Sequence, residues 1–173
     1  KHTVGIDLGT GTIKLACWDG TSIKKLVQEK APENRSQEDN PSHWEALGLI
    51  IKDILKTSGI NARSAAIVAS DDKVIIRRFS MPLMTEEQLM YNLPFEFRDY
   101  ITGNKSDFFY DYSVNAVQKN GEKDSDLLDI TAVVAAKATI SNYRRLCKAA
   151  GLQLETVIPA MCAYQNLIRS QAS

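Results

Sequence analysis

The 173-residue sequence predicts an α/β fold, in one compact domain or two small ones, and three observations support this prediction. Three short runs of alternating apolar residues open the chain, and turn residues separate them. An amphipathic helix and a strand of small apolar residues follow. A second set of strands and helices then begins where the first pattern ends. With 44% hydrophobic residues, the chain has enough apolar side chains to bury a core.

The first set of elements opens with three predicted strands, over residues 3–9, 12–18 and 22–28. Their connections, Thr10-Gly11 and Asp19-Gly20-Thr21, are short, which predicts an antiparallel meander. Residues 30–42 contain Pro, Asn, Ser and charges without periodicity, and this composition predicts a loop.

A helix and a buried strand complete this first set. Ser42 and Glu45 have the spacing of a capping box, and Gly59 is placed to end the helix in a left-handed turn. Five apolar residues fall on one face of the helix: Trp44, Leu47, Ile51, Ile54 and Leu55. Residues 64–69 (SAAIVA) are small and apolar, which is typical of a strand buried on both faces.

The second set begins with a strand, KVIIRRFSMP, that ends at Pro82. Thr85 and Gln88 form a second capping box, and the helix after it has Leu89, Leu93 and Phe97 at a spacing of four. Pro94 cannot donate to the carbonyl of Met90, which predicts a kink or a restarted turn.

The rest of the chain predicts two strands, a helix, a strand and a final helix. The two strands cover residues 107–117 and 127–136, with a hairpin around Asn120-Gly121 between them. The remaining elements are a helix from about Thr139 to Ala150 closed by Gly151, a strand over residues 152–158, and a helix that begins at Pro159.

Composition excludes several classes of function. Twenty-one basic residues balance twenty-one acidic ones, so the chain lacks the basic surface of a nucleic-acid binder. No apolar run reaches the roughly 18 residues of a membrane span, and Asp7 and Lys14 interrupt the first apolar stretch, which predicts no signal peptide. The three cysteines favour reduced thiols in a cytosolic protein.

The histidine content argues against common catalytic arrangements. The chain has only His2 and His43, which excludes most Ser-His-Asp and Cys-His schemes, and no cluster has the spacing of a zinc site. We therefore predict no catalytic residue. The sequence begins at Lys1 without a Met, which indicates a piece of a longer protein.

The stretch GIDLGTGTIKLACWDG, residues 5–20, allows two interpretations. In a plain hairpin, a positive φ alone would explain Gly11. In a phosphate-binding turn, Thr10 and Thr12 would present hydroxyls beside consecutive backbone N–H groups. Asp7, at the end of a buried strand, would then need a metal, water or backbone donors. Lys14 suits either a phosphate contact or a solvated strand edge, so both interpretations stay open.

The order of elements adds a resemblance to a known family. GIDLGTGTIKLA is similar to the phosphate-1 loop, G-[IV]-D-[IL]-G-[TS], that opens the actin-like ATPases. The strand-helix-strand-strand insertion after residues 64–69 resembles the 1C subdomain of the FtsA and PilM families. The segments FSMPLMTEEQLMYNLPFEFRDYI, YDYSV, VVAAKATISNYRRLCKAAGL and ETVIPAMCAY resemble most the type IV pilus assembly protein PilM family.

This resemblance implies the architecture and its boundaries. Residues 1–72 and 152–173 would form an actin-like (ribonuclease H-like) subdomain 1A, and residues 73–151 an inserted SHS2-type 1C subdomain. Two features depart from the family pattern: Pro94 lies where the helix usually continues, and Ile158-Pro159 stands where an acidic residue is common.

The resemblance also implies a nucleotide site, of which this chain holds one wall. The phosphate-binding residues would be Asp7, Gly9, Thr10, Gly11, Thr12 and Lys14. Asp7 would also orient Mg²⁺ indirectly. ATP and Mg²⁺ would bind the full-length protein, whose second lobe carries the phosphate-2 loop and the adenosine pocket. This chain alone would bind neither, and whether the protein is an enzyme stays open.

The implied partner is the N-terminal tail of a PilN-like inner-membrane protein. A PilM-like protein is cytoplasmic, has no membrane span and lies at the inner face of the membrane through that partner. The tail would dock near the junction of 1A and 1C, where Met81, Leu83, Met84 and Leu89 are the apolar candidates. Packing of the junction explains the same four residues equally well.

Three alternatives remain at this point. The chain is also consistent with a truncated actin-like ATPase or kinase, for which a second lobe with an Asp-Gly-Gly loop would be the sign. An FtsA-like division protein would carry a C-terminal amphipathic helix. A docking fold would keep the phosphate loop only as structure.

Overall fold

The computed structural model describes residues 2–32, 40–70, 72–119 and 126–163. The helices and strands follow in chain order: β1 (Thr3–Leu8), β2 (Thr12–Trp18), β3 (Ile23–Lys30), α1 (Pro41–Thr57), β4 (Ser64–Ala69), β5 (Val74–Pro82), α2 (Glu86–Glu96), β6 (Phe108–Gln118), β7 (Leu127–Ala136), α3 (Lys137–Ala149) and β8 (Gln153–Pro159).

The first sheet has the strand order β3-β2-β1-β4-β8. The predicted meander is confirmed, because β1, β2 and β3 pair antiparallel. Its second turn is closed by Asp19, whose Oδ1 accepts hydrogen bonds from the backbone N–H groups of Thr21 and Ser22 at 2.8 and 2.9 Å. Gly20 takes the positive φ of 106° that this turn requires.

The parallel half of this sheet is formed by β1, β4 and β8. The return of residues 153–159 to the first sheet is therefore confirmed. Ile6, Ile67 and Val157 are paired across the three strands, and Ile6 and Ile67 are fully buried. Val68, next to Ile67 on β4, points to the opposite face of the sheet, because successive side chains of a strand alternate.

The start of α1 differs from the sequence prediction. Asn40 is the N-cap, and its Oδ1 accepts a hydrogen bond from the N–H of Ser42 at 3.0 Å. Pro41 occupies the first helical position, where its lack of an N–H has no cost. The helix thus begins before the predicted Ser42–Glu45 capping box. Gly59 follows the helix with a φ of 68°, as predicted.

The two long helices α1 and α3 pack at very short range. A methyl group added at Gly48 would overlap the carbonyl oxygen of Leu146 and lie 2.7 Å from Cβ of Ala149. Beside this point, the rings of Trp44 and Tyr143 meet edge to face at 5.5 Å. The absence of a side chain at Gly48 is therefore what lets α3 lie against α1.

The chain divides into two compact units, Lys1–Asp71 with Thr139–Ser173, and Asp72–Ala138. The second unit therefore ends at Ala138, in the first turn of α3, whereas the sequence predicted that it extends to residue 151. The contact of α3 with α1 is the physical reason, since α3 buries Tyr143, Leu146 and Cys147 as part of the first unit.

The second unit is a three-stranded antiparallel sheet of order β5-β7-β6 with α2 on one face. The predicted capping box is confirmed, because Thr85 and Gln88 each bind the other's backbone N–H. Its buried core consists of Met81, Leu89, Leu93, Phe97, Leu128, Ile130, Ala132 and Val134. The order of elements is strand, helix, strand, strand, as the sequence predicted.

The sequence also predicted a disturbance of α2 at Pro94, a hairpin at Asn120-Gly121 and a final helix from Pro159. Pro94 lies inside α2, and the helix ends two residues later, at Glu96. The predicted hairpin at Asn120-Gly121 lies outside the described residues. Pro159 is the last residue of β8, helical residues begin at Ala160, and the predicted final helix lies mostly outside the described residues.

Candidate functional site

The predicted phosphate loop is the turn between β1 and β2, at the edge of the first sheet. The parallel strands β1 and β4 end at this edge, with Asp7 in register with Val68. In open sheets with parallel strands, ligands bind beyond the carboxyl ends of the strands. Thr10 and Gly11 are exposed at the tip of the turn, and the Gly11 carbonyl accepts a hydrogen bond from the N–H of Ala31 at 3.0 Å. The turn is thereby anchored to the residue that follows β3.

The surrounding structure leaves little space for a side chain at Gly9 and ample space at Gly11, the two glycines of the turn. A Cβ at Gly9 would lie 3.2 Å from the Thr12 carbonyl oxygen and 3.3 Å from Thr12 Oγ1, so the tight turn favours glycine there. Gly11 has no positive φ, and a side chain there would contact nothing within 4 Å. The sequence-based explanation of Gly11 by positive φ is therefore wrong. Neither backbone strain nor packing explains Gly11, whereas close approach of a ligand to the backbone would.

Asp7 and Lys14 face each other across β1 and β2. Lys14 Nζ lies 3.4 Å from Asp7 Oδ2, and the two side chains are 53% and 38% exposed. The sequence argument that Asp7 is costly because it is buried is therefore wrong: water and Lys14 solvate the carboxylate. An exposed carboxylate beside an ammonium can still orient a hydrated Mg²⁺, because that ion keeps much of its water shell in proteins.

The four predicted partner-binding residues divide into two groups. Met81 and Leu89 are 5% and 2% exposed and belong to the core of the second unit. Met84 packs partly buried against that core, and the Asn92 amide lies 3.7 Å from its sulfur. Leu83 is 52% exposed. Of the four, Leu83 is the one with a large apolar area available to a partner.

The structure adds a polar cluster that sequence reasoning missed. Arg78 and Asp129, on neighbouring strands β5 and β7, form a two-pronged ion pair in which Arg78 Nε lies 2.7 Å from Asp129 Oδ1. Asn115, at a bulge in β6, donates to Asp129 Oδ1 at 3.3 Å and to Thr131 Oγ1 at 2.9 Å. The hydrogen bonds from Arg78, and secondarily from Asn115, lower the pKa of the Asp129 carboxyl to about 2.

Arg77 and Arg78 are both exposed, and each also has a partner. The guanidinium of Arg77 lies over the ring of Tyr100, 4.5 Å from its centre, and Arg78 is bound to Asp129. The signal in the sequence was an aspartate inside the apolar run LLDITAVV, since a buried carboxylate needs a partner. The cluster cross-links the three strands of the second unit.

The remaining candidates for metal binding or reactivity are clusters of acidic and histidine side chains and the cysteines. Among the described residues, no group of three or more His, Cys, Asp and Glu side chains could hold a metal ion. Cys17 and Cys147 are buried, Cys162 is partly buried, and all three are free thiols. Burial raises the pKa of the Cys147 thiol to about 11, so this side chain is a neutral packing residue. Within the described ranges, no helix is both long and apolar enough to cross a membrane.

The fold and the loop together define a class of protein. The first unit has a β-meander with a Gly/Thr turn, a helix and two parallel strands, and it carries a strand-helix-strand-strand insertion. These elements define an α/β protein with an inserted second unit. The family model for the type IV pilus assembly protein PilM matches residues 5–171. The chain belongs to this family, and the resemblance found in the sequence is confirmed.

Solved structures agree with this fold. The PilM-PilN type IV pilus biogenesis complex contains a chain that matches with a TM-score of 0.84 at 18% identity, covering 98% of this chain and 50% of that one. The cytoplasmic domain of EpsL, an inner-membrane component of the type II secretion system of Vibrio cholerae, matches with a TM-score of 0.57 at 18% identity, covering 92% and 57%.

A third solved structure is less similar, and the curated proteins give no match. A Bacteroides thetaiotaomicron protein of unknown function with an actin-like ATPase fold matches with a TM-score of 0.49 at 11% identity, covering 98% of this chain and 56% of that one. No curated protein is significantly similar in sequence. The chain thus spans about half the length of the solved chains it matches.

Proposed function

We propose that this chain is part of a cytoplasmic component of type IV pilus assembly that binds the N-terminal tail of a PilN-like inner-membrane protein. The observation that carries the proposal is the match of the PilM family model to residues 5–171, which is nearly the whole chain. The similarity of fold to a chain of a PilM-PilN complex supports it. The protein would lie at the inner face of the membrane through that partner.

The surface chemistry of the second unit fits an extended, largely apolar tail. Leu83 is half exposed directly after β5, and its backbone N–H donates to the Asp126 carbonyl at 2.8 Å, which fixes its position. Disordered tails that fold on binding use a few apolar anchors in such positions. The balanced charge of the chain is consistent with recognition that does not depend on strong electrostatic attraction.

The tail proposal predicts a large effect of a charge at Leu83. Leu83→Glu should weaken binding of the PilN-like N-terminal peptide at least about tenfold, because an anchor worth ~1.5–3 kcal/mol is lost. Since Leu83 is 52% exposed, the melting temperature should stay nearly unchanged. Fluorescence anisotropy with a labelled peptide measures the affinity.

Leu26→Glu is the matched control, because Leu26 is 72% exposed on β3 of the first unit. It should leave the affinity for the peptide unchanged. Met81→Glu is unsuitable, because it would place a charge in the core of the second unit. If the unmutated chain fails to bind the peptide while a longer family protein binds it, the proposal that this half suffices is wrong.

We further propose that the β1–β2 turn forms one wall of an ATP site in the two-lobed protein. Open space at Gly11 supports the proposal, since it leaves the backbone accessible to phosphate oxygens. Thr10 and Thr12 would offer hydroxyl donors, Lys14 a cation, and Asp7 a carboxylate for hydrated Mg²⁺. A bound nucleotide would supply the phosphate chemistry; these residues would hold and orient it.

The nucleotide proposal predicts different results for the two lengths of protein. In a longer protein with both lobes, Asp7→Ala should weaken Mg-ATP binding about tenfold, through loss of one ionic or water-mediated contact. The 173-residue chain should show no micromolar binding, because burial of the base supplies much of a nucleotide's affinity. Calorimetry measures both.

Asp53→Ala provides the control, since Asp53 is an exposed carboxylate on α1. Equal Mg-ATP affinity for Asp7→Ala and Asp53→Ala in the two-lobed protein would show that Asp7 does not contribute to nucleotide binding. Micromolar binding by the 173-residue chain would show that the other lobe is not needed.

A further inference from the structure

A basic groove runs between α1 and α3 in the first unit, and neither the phosphate loop nor the tail residues contribute to it. The groove has a volume of about 650 Å³. It is lined by Glu45, Leu49, Ser141, Arg144, Arg145, Lys148 and Ala149.

The charges in the groove are unbalanced, although the whole chain is neutral. Three cations face one carboxylate, Glu45, which lies 4.0 Å from Arg145. Within residues 40–70 and 126–163, no carboxylate lies within ion-pairing distance of Arg144 or Lys148. These two residues are four positions apart on α3 and so project from the same helix face about 6 Å apart along the axis.

An apolar strip lies beside these cations. Leu49 is 55% exposed on α1, and Ala149 lies opposite on α3. The Cβ of Ala149 also lies close to Gly48, where α1 and α3 are in contact. A large exposed leucine next to Arg144 and Lys148 is the surface that an acidic, partly apolar segment would complement.

We propose that this groove binds a short acidic peptide segment of a partner protein. Two carboxylates about 6 Å apart, at positions i and i+4 of a helix or i and i+2 of an extended chain, match the spacing of Arg144 and Lys148. One apolar side chain of the segment packs on Leu49. Glu45 selects against a uniformly anionic occupant, because it repels a third negative charge at its end of the groove.

Two features favour a peptide over an anionic membrane surface. The site is a concave groove between two helices, whereas a bilayer is flat at this scale and meets only projecting side chains. Arg144 presents a planar guanidinium, which suits paired hydrogen bonds to a carboxylate. The proposal does not depend on the nucleotide or on the PilN-like tail.

The test uses the 173-residue chain and a fluorescein-labelled helical peptide of Glu and Leu with carboxylates four residues apart. A peptide with Gln in place of Glu is the neutral comparison. We expect the Glu peptide to bind and the Gln peptide to bind at least about tenfold more weakly, because two ion pairs are lost. High salt should reduce the difference.

Charge reversal then locates the site. Arg144→Glu/Lys148→Glu should weaken binding of the Glu peptide at least about tenfold, since attraction becomes repulsion. Arg98→Glu/Lys119→Glu makes the same change in net charge on exposed residues of the second unit and should have no effect. Leu49→Ser should weaken binding several-fold without lowering the melting temperature.

Three results would overturn the proposal. One is equal binding of the Glu and Gln peptides. Another is equal affinity of the groove variant and the second-unit variant for the Glu peptide. The third is binding to phosphatidylglycerol vesicles, lost on charge reversal, with no binding of the peptide; the groove would then face a membrane.

Discussion

Gly48→Val lowers the free energy of unfolding by about 3 kcal/mol or more, and this is the largest effect that we expect from one substitution in the first unit. The added side chain would overlap the carbonyl oxygen of Leu146, a backbone atom that cannot rotate away, and press on Cβ of Ala149. Either α3 moves off α1 or both helices distort. The loss exceeds the small difference in helix propensity between Gly and Val.

Ala46→Val is the control for this prediction, because Ala46 is exposed on the same helix. It should lower the free energy of unfolding by less than about 1 kcal/mol, the difference in helix propensity. Urea unfolding followed by tryptophan fluorescence reports on the first unit, which contains both tryptophans, Trp18 and Trp44. Equal midpoints for the two variants would contradict the close helix contact.

Phe97→Ala should cost about 3–5 kcal/mol in the second unit, the usual range for a fully buried phenylalanine. The Phe97 ring is completely buried and contacts three other rings. Its centre lies 5.4 Å from that of Phe79, 6.0 Å from Tyr110 and 6.4 Å from Tyr100. Removal leaves a cavity between α2 and the sheet that these fixed rings cannot close.

Phe95→Ala removes the same side chain two residues away, where the ring is 46% exposed. Its cost should be about 1 kcal/mol or less, mainly the contact of Lys105 Nζ over the ring at 3.5 Å. Far-UV circular dichroism follows both units, and tryptophan fluorescence follows the first. If Phe97→Ala destabilises the second unit, its dichroism should change at a lower urea concentration than its tryptophan fluorescence. Identical unfolding curves for Phe95→Ala and Phe97→Ala would contradict this prediction.

The order of elements could be predicted from the sequence because local patterns determine it. Alternation marked the strands, and the Thr85–Gln88 capping box marked the start of α2. The Ser42–Glu45 box failed because a second signal, Asn40-Pro41, lies two residues earlier and caps the helix first. Such a competition depends on which backbone N–H groups are free, and sequence spacing alone does not decide it.

Tertiary relations were harder to predict, for a physical reason. An amphipathic helix such as α3 shows which face is buried but not which neighbour covers it, so the end of the second unit was placed one helix too late. The Arg78–Asp129 pair joins residues 51 positions apart and follows only from the strand pairing.

The candidate site shows the same division between local and tertiary information. The motif identified the turn at Gly9–Thr12, while the geometry changed the reasons for its residues: Gly11 has no positive φ, and Asp7 is not buried. Apolar character alone nominated Met81 and Leu89 as partner-binding residues, and the strand and helix faces then placed them in the core. The basic groove was not predictable, since α1 and α3 are far apart in sequence.

The position of β8 also determines the order in which the molecule can fold during synthesis. Ser64 of β4 pairs with Gln153 of β8, which is synthesised about 90 residues later. One edge of β4 therefore stays unpaired during synthesis, and a contact of such high sequence separation forms slowly. The second unit is continuous in the chain and can fold within that interval. Until β8 leaves the ribosome, the apolar strand Ser64–Ala69 has an unsatisfied edge, which is the kind of nascent surface that chaperones protect from aggregation.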